Sequence, residues 1–245
     1  MDRRPGSPRS SNRAAASEHR VGRSSSLPAE RERVAALLSV EEAARAAGAR
    51  AVAGVDEAGR GALAGPVFAA AVVLSPGTVI AGLDDSKALL PEVREALAPR
   101  IRSLAAAWGV GSASAAEIDD LGIAPATFLA MRRALDTLSA GPRPDFVLVD
   151  GFPIPQLEVP QRAVVRGDAT VACIAAASVL AKTSRDAVLR ELDASAPWYG
   201  FAAHKGYGSA AHLAALRRHG PSPDHRLTFA GVLSPGRTAS TVAAA

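Results

Sequence analysis

Two adjacent acids, Asp56 and Glu57, stand among glycines at the end of an apolar run in "AVAGVDEAGRGALAG" (51–65). Such loops either cradle phosphate with backbone N–H groups or present carboxylates to a metal ion. The glycine spacing matches a phosphate-binding loop, but that motif continues with Lys and Ser or Thr, whereas Arg60 and Gly61 follow here. Carboxylates inside the cradle would also repel phosphate. The stretch therefore favours a metal site over a nucleotide site.

Two more acids stand at the ends of predicted elements. Asp150 ends the apolar stretch "FVLVD", and Asp168 follows "VVRG" at the start of a predicted long helix. A hard divalent cation binds oxygen ligands, and neighbouring strand ends can bring carboxylates together. Each acid also has a simpler explanation: a solvated strand end for Asp56, a turn for Asp150 and a helix cap for Asp168. Two apolar strands that both end in acids nevertheless favour a shared cation site.

Whether both acids of the first strand reach that site depends on the backbone around them. Adjacent strand residues point to opposite faces of a sheet, so Asp56 and Glu57 can share a site only if the strand bends or ends there. The following segment 58–61 contains two glycines, which allow such a bend.

The elements that must position these acids alternate between strands and helices. Apolar runs and turn residues predict five strands, at 51–59, 65–75, 109–115, 144–151 and 163–167. Helical periodicity predicts helices at 31–49, 90–108, 117–140 (broken near Gly122), 168–194 and 209–220. This order predicts an α/β protein with a mixed central β-sheet flanked by helices and a C-terminal helical region.

Composition limits the classes of protein that the chain can represent. Its 245 residues carry a net charge of +4, and the single cysteine, Cys173, excludes an internal disulfide or a thiolate cluster. No apolar run approaches the roughly 20 residues that span a bilayer, so we expect a cytoplasmic protein without a membrane partner. Composition divides the chain into three segments: a disordered basic arm (1–31), one domain (32–233) and a flexible tail (234–245).

Seven stretches together carry a family resemblance. They are "GVDEAGRG", "LDDSKALLPEVREAL", "IDDLGIAPATFLAMRRAL", "LVDG", "RGDATVACIAAASVLAKTSRD", "YGFAAHKGYGSAAHLAAL" and "HRLTF". In this order, from about Val52 to Phe229, the chain resembles the ribonuclease HII family, the prokaryotic type 2 ribonucleases H. It departs from the family pattern at Ala62, where Pro is frequent, at Gly122, where Asn is common, and at Cys173, where a small polar residue is usual. None of these departures removes a proposed ligand.

The resemblance implies a ribonuclease H-like fold and a hydrolase. It implies that Asp56, Glu57, Asp150 and Asp168 are catalytic and hold two divalent metal ions, Mn²⁺ or Mg²⁺. The implied substrates are RNA–DNA hybrids, whose RNA strand is hydrolysed, and duplex DNA with single ribonucleotides, which is cut on their 5′ side. The implied products carry 5′-phosphate and 3′-hydroxyl ends.

The resemblance also implies substrate-binding residues. Gly59, Arg60 and Gly61 would contact the ribonucleotide 2′-OH, and Tyr207 would pack on the sugar next to the scissile junction. Four basic residues are candidate contacts of backbone phosphate, although a solvated surface charge would explain each of them equally well: Lys87, Lys182, Arg185 and Lys205. Because hard cations prefer oxygen, we interpret His204 and His212 as structural or phosphate-facing rather than as metal ligands.

Two other functions stay open at this point. A non-catalytic nucleic-acid binding module could use the same fold, but such a module gains nothing from acids that face phosphate. Another two-metal nuclease is the second alternative, and the "GRG" and "GYG" stretches weigh against it. We expect the protein to act as a monomer.

Overall fold

The computed structural model describes residues 27–83 and 89–232, with side chains from residue 32 onward. Five strands form the sheet: β1 (Val52–Ala58), β2 (Val67–Val73), β3 (Ala107–Ala113), β4 (Phe146–Asp150) and β5 (Gln161–Val164). The helices in these ranges are α1 (Leu27–Ala46), α2 (Pro91–Leu104), α3 (Ala115–Leu121), α4 (Ile123–Asp136), α5 (Gly167–Thr170), α6 (Ala172–Ser195), α7 (Phe201–His204) and α8 (Ala210–His219).

The sheet has the order β3-β2-β1-β4-β5 and is mixed, as predicted. Strands β1, β2 and β3 pair antiparallel, whereas β4 runs parallel to β1 and β5 runs parallel to β4. Asp56 pairs with Ala70 of β2, and Asp150 pairs with Val164 of β5. The carboxyl ends of β1, β4 and β5 therefore lie at one edge of the sheet.

Helices cover both faces of the sheet at close range. Helix α6 packs on one face, where a Cβ on Gly54 would lie only 2.3 Å from the backbone of Cys173. Helix α4 packs on the other face, where a Cβ on Gly109 would lie 2.3 Å from the Ala134 carbonyl oxygen. Glycine and alanine thus replace larger side chains at the sheet–helix contacts, because the backbones approach too closely for more.

Several predicted boundaries differ from the structure. The expected basic arm (1–31) and flexible tail (234–245) lie outside the described residues, except that 27–31 are helical and belong to α1. Strand β3 begins two residues before the predicted 109, because α2 ends at Leu104. Within residues 27–83 and 89–232, no helix combines the length and the apolarity that a membrane span requires.

The C-terminal helical region is also confirmed, with one element that the sequence did not predict. Helix α7 is a single turn between Gly200 and Lys205, both of which have left-handed backbone. It contains no apolar periodicity that could have revealed it, since one turn is shorter than the repeat. Together with α8 it brings the segment around Tyr207 back to the sheet edge that carries the acids.

Candidate active site

Three carboxylates meet at the edge where β1 and β4 end and α5 begins. One oxygen each from Asp56, Asp150 and Asp168 lies within 4.8 Å of the others. Asp56 and Asp168 are 4% and 2% exposed, and Asp150 is half-buried. Because β1 and β4 are parallel neighbours, their carboxyl ends bring Asp56 and Asp150 together. Three of the four acids that we expected to be ligands therefore form one cluster.

Asp168 reaches the cluster because the chain turns sharply after β5. Arg166 adopts left-handed backbone with φ 54° and ψ 42°, and α5 begins directly after it. The N–H of Gly167 donates to Asp150 Oδ1 at 2.7 Å and so ties α5 to the end of β4. The prediction that Asp168 starts the long helix is wrong, because it lies inside the short α5 and α6 begins four residues later.

The electrostatics of the cluster favour binding of a cation. The pKa of the Asp56 carboxyl is raised to about 8, first by burial and then by the charge of Glu57, with a smaller effect of Asp150. Hydrogen bonds to Asp56 from Ser178 and from the Glu57 N–H oppose this rise without cancelling it. Hard carboxylate oxygens that repel one another in a buried cluster are suitable ligands for a divalent metal ion. The residues present therefore fit a divalent cation.

Glu57, the fourth expected ligand, lies beside the cluster rather than within it. Strand β1 continues to Ala58, so Asp56 and Glu57 point to opposite faces, as the pleat requires. Glu57 pairs with Arg60 at 3.4 Å between Oε1 and Nη1. It also borders a small cleft shared with Asp150. A ligand role for Glu57 stays a prediction.

A cleft of about 360 Å³ lies beside Glu57 and gathers most of the expected substrate-binding residues. Its wall includes Glu57 and five of those residues: Gly59, Lys182, Arg185, Lys205 and Tyr207. Tyr207 is 46% exposed, and its Cε1 atom would be 4.0 Å from a Cβ on Gly61. Lys87 lies outside the described residues. An exposed aromatic ring beside two lysines and an acidic cluster is suited to a nucleic-acid strand.

Arg185 is buried, whereas we expected it to be accessible to backbone phosphate. Its side chain is 2% exposed, and the guanidinium donates to three backbone carbonyls, those of Pro66, Ala64 and Lys205, at 3.1, 3.1 and 2.9 Å. A phosphate contact would have to compete with these three bonds, so the expectation is corrected: Arg185 positions the loops around the cleft. Its guanidinium carbon also lies 5.5 Å from the centre of the Tyr207 ring.

A second buried arginine, Arg226, was missed as a functional residue although the "HRLTF" stretch contains it. Its Nη2 and Nη1 atoms donate to the carbonyls of Gly59 and Arg60, each at 2.8 Å, and its Nε donates to Gly65 at 3.0 Å. Burial lowers the pKa of Arg226 to about 10, and the charge of Arg185 adds to this. Arg226 thus fixes the loop of Gly59, Arg60 and Gly61, whereas Arg185 fixes the adjoining backbone at Ala64 and Pro66. No periodicity or spacing could have signalled this long-range contact.

The chain is similar to known proteins along most of its length. The Ribonuclease HII family model matches residues 53–232. A protein named Ribonuclease HII from Laribacter hongkongensis (strain HLHK9) is 58% identical over 185 residues, which cover 75% of this chain and 92% of that protein.

Solved structures share the fold. Ribonuclease H2 from Pyrococcus horikoshii OT3 matches with a TM-score of 0.61 and 26% identity, over 74% of this chain and 95% of that one. Bst-RNase HIII in complex with Mn²⁺ matches with a TM-score of 0.61 and 20% identity, over 74% of this chain and 68% of that one. Since the family model spans most of the chain and a relative is more than half identical, the chain belongs to the ribonuclease HII family.

Proposed function

We propose that this endonuclease of the ribonuclease H type hydrolyses the RNA strand of RNA–DNA hybrids and also cuts on the 5′ side of single ribonucleotides in duplex DNA. The observation that carries the proposal is the cluster of Asp56, Asp150 and Asp168 next to Glu57, which lines the cleft that also contains Tyr207. The acids supply the site for the reaction, and the cleft supplies a surface that can sense the sugar.

Divalent metal ions are the cofactors that the donor set fits, and we infer that two ions, Mn²⁺ or Mg²⁺, are used. Asp56, Asp150 and Asp168 would hold them, with Glu57 beside the cluster as the expected further ligand. When bound, such ions activate the attacking water and neutralise charge on the leaving 3′-oxygen. Bst-RNase HIII, which has the same fold, was solved in complex with Mn²⁺. This shared fold supports the assignment.

The loop of Gly59, Arg60 and Gly61 is the proposed sensor of the 2′-OH. That hydroxyl both donates and accepts hydrogen bonds, and it distinguishes RNA from DNA at a given position. Without a Cβ, a glycine backbone can approach a sugar closely. Arg226 holds the carbonyls of Gly59 and Arg60 in place, so the loop is ordered before substrate binds.

Tyr207 is the proposed reader of the junction between RNA and DNA. An aromatic ring that packs on a deoxyribose and has no room for a 2′-OH would select the sugar on one side of the scissile bond. The ring is exposed toward the cleft, while Arg185 lies against it at 5.5 Å. Lys182 and Lys205 border the same cleft and are suited to backbone phosphates.

Cleavage of three labelled duplexes tests the proposal: an RNA–DNA hybrid, a DNA duplex with one ribonucleotide, and an all-DNA duplex, each with Mg²⁺ or Mn²⁺. We expect cuts in the first two and none in the third. Asp150→Asn should abolish the cuts, whereas Asp136→Asn, a control at an exposed position of α4, should retain them.

Other outcomes would overturn the proposal in different ways. If folded protein cuts nothing with either metal, a nucleic-acid binding module becomes the better explanation. If the all-DNA duplex is also cut, the chain is a nuclease, but the loop of Gly59, Arg60 and Gly61 does not select RNA.

A further inference from the structure

We propose that two buried histidines, His212 and His225, form a directional hydrogen-bond chain that positions Tyr207 for recognition of the junction. The inference rests on the proposed function, because it assigns how the residue that reads the junction is held. His212 and His225 would be positioning residues: they act through the backbone of Tyr207 and do not touch substrate.

The chain consists of three consecutive contacts. His212 Nδ1 lies 2.9 Å from the Tyr207 carbonyl oxygen, and His212 Nε2 lies 3.0 Å from His225 Nε2. The backbone N–H of Ser222 donates to His225 Nδ1 at 2.9 Å. The side chains of His212 and His225 are 0% and 1% exposed, so water cannot replace these bonds.

The two ends of the chain determine where the protons lie. The Tyr207 carbonyl can only accept, so His212 Nδ1 must carry a proton. The Ser222 N–H can only donate, so His225 Nδ1 must be bare and His225 Nε2 must carry its proton. His212 Nε2 then accepts from His225 Nε2. Both rings are neutral in this arrangement, and each has a single permitted tautomer.

A protonated ring would break the chain, because it would place two donors against each other. The surroundings keep the rings neutral: burial lowers the pKa of His225 to about 4 and also lowers the pKa of His212. The ring of Phe201 packs edge-on against His212, with the centroids 5.6 Å apart. Such apolar packing agrees with a neutral pair.

A third histidine holds the residue before Tyr207. The Gly206 N–H donates to His204 Nδ1 at 3.2 Å, and His204 Nε2 lies 2.7 Å from the Tyr199 carbonyl oxygen, to which it donates. The rings of His204 and His212 stack with their centroids 4.4 Å apart. The histidines therefore hold the Lys205–Gly206 and Tyr207–Gly208 peptide units, on either side of the peptide unit that joins Gly206 to Tyr207.

The backbone segment that the histidines hold is strained. Lys205 has φ 53°, which is unfavourable for a residue with a side chain, and Gly206 follows with φ 76°. A Cβ on Gly206 would lie 2.5 Å from the Ala64 carbonyl oxygen. Strained backbone persists when surrounding contacts determine it, and such segments are frequent at functional sites. The histidine chain is one of these contacts and sets the position of an exposed ring.

Two substitutions of His212 distinguish the roles of its two ring nitrogens. In His212→Asn the side-chain amide takes the place of Nδ1 and can still donate to Tyr207. In His212→Gln the amide reaches the place of Nε2, and the bond to Tyr207 is lost. His219→Gln, at the exposed end of α8, is the matched control. Each variant is made in wild-type protein and in Tyr207→Ala, and kcat and KM are measured on the duplex with one ribonucleotide.

We expect His212→Gln to lower kcat about tenfold, within the range of coupling between groups in contact, while His212→Asn and His219→Gln stay close to wild type. In the Tyr207→Ala background, His212→Gln should have almost no further effect. An equal loss in both backgrounds would show that His212 does not act through Tyr207 and would overturn the inference.

NMR of the imidazole nitrogens provides a measurement that does not depend on activity or on variant folding. We expect His212 to carry its proton on Nδ1, the less common tautomer in solution, and His225 to carry its proton on Nε2. A proton on Nε2 of His212 would overturn the chain. Failure of wild-type protein to cut would instead refute the proposed function, even if the tautomers are as expected.

Discussion

Gly61 lies two residues from Gly59 in the loop that we propose to sense the 2′-OH, but the two glycines have different surroundings. A Cβ on Gly61 would meet only the Tyr207 ring, at 4.0 Å, so the folded protein has room for it. We therefore expect Gly61→Ala to leave the melting temperature within about 2 °C of wild type, since it introduces neither a clash nor a cavity. The added methyl should nevertheless lower cleavage of the single-ribonucleotide duplex at least about tenfold, because it obstructs close approach of the sugar.

Gly59→Ala is the comparison that separates the two effects. Gly59 has φ 92°, and its added Cβ would lie 2.0 Å from Nε of Arg185, a side chain held by three hydrogen bonds. This variant should lose stability as well as activity. If Gly61→Ala keeps full activity in the same assay, the sugar does not approach the backbone there, and the 2′-OH argument for this loop fails.

The sequence was informative about acids and less so about basic residues. Asp56, Asp150 and Asp168 could be identified because each lies at or near the end of an element, and such positions converge at a sheet edge. The role of Arg185 could not be assigned, because the sequence does not distinguish a buried arginine from one that binds phosphate. Only the three carbonyls around its guanidinium, which come from distant segments, reveal which it is.

At the scale of elements, the contact between α6 and β1 has the least tolerance for added volume. A Cβ on Gly54 would lie 2.3 to 2.6 Å from three backbone atoms of Cys173 and Ile174, and backbone cannot rotate away as a side chain can. We expect Gly54→Ala to destabilise the protein by about 3 kcal/mol or more, at the upper end of the cost of overpacking. For a chain of this size, that corresponds to a fall in melting temperature of roughly 6–12 °C.

Thermal unfolding of Gly54→Ala beside Gly61→Ala measures this directly, because the two variants add the same methyl group in crowded and open surroundings. The α6 surface also carries Ser178, which donates to Asp56, so a displaced helix should weaken cation binding in Gly54→Ala. A melting temperature equal to that of wild type would mean that α6 can shift away from β1 without cost, contrary to its close packing.

Burial explains which elements could be predicted from the sequence. Apolar runs predicted the five strands, and helical periodicity predicted the segments that form α1, α2, α3 with α4, α6 and α8, because burial imposes a period of two or 3.6 residues. The break between α5 and α6 at Val171 was not predictable from periodicity, since both sides are helical and the single turn of α5 is shorter than the repeat. That break is what separates Asp168 from the long helix and turns it toward Asp150.

At the scale of the whole molecule, protonation couples folding to the acidic cluster. The pKa of Asp56 is about 8 in the folded, metal-free protein and near the ordinary 3.8 when unfolded. The folded state therefore binds more protons, and this contribution to stability is present below pH 3.8 and is lost as the pH rises through 8. His225 has the opposite effect: its folded pKa of about 4 lies below 6.5, so stability is lost as the pH falls from 6.5 to 4.

These two effects separate between pH 6.5 and 8, where unfolded His225 loses the rest of its proton and folded Asp56 still keeps most of its own. In this window the melting temperature of metal-free protein should fall with rising pH. Added Mn²⁺ should raise it, and more at pH 8 than at pH 6.5, because a cation competes with the proton for the carboxylate. Asp56→Asn keeps the shape of the side chain and removes its charge, so it should lose the pH slope and most of the stabilisation by Mn²⁺. If wild-type and Asp56→Asn proteins show the same slope and the same response to Mn²⁺, Asp56 neither carries the raised pKa nor holds the cation.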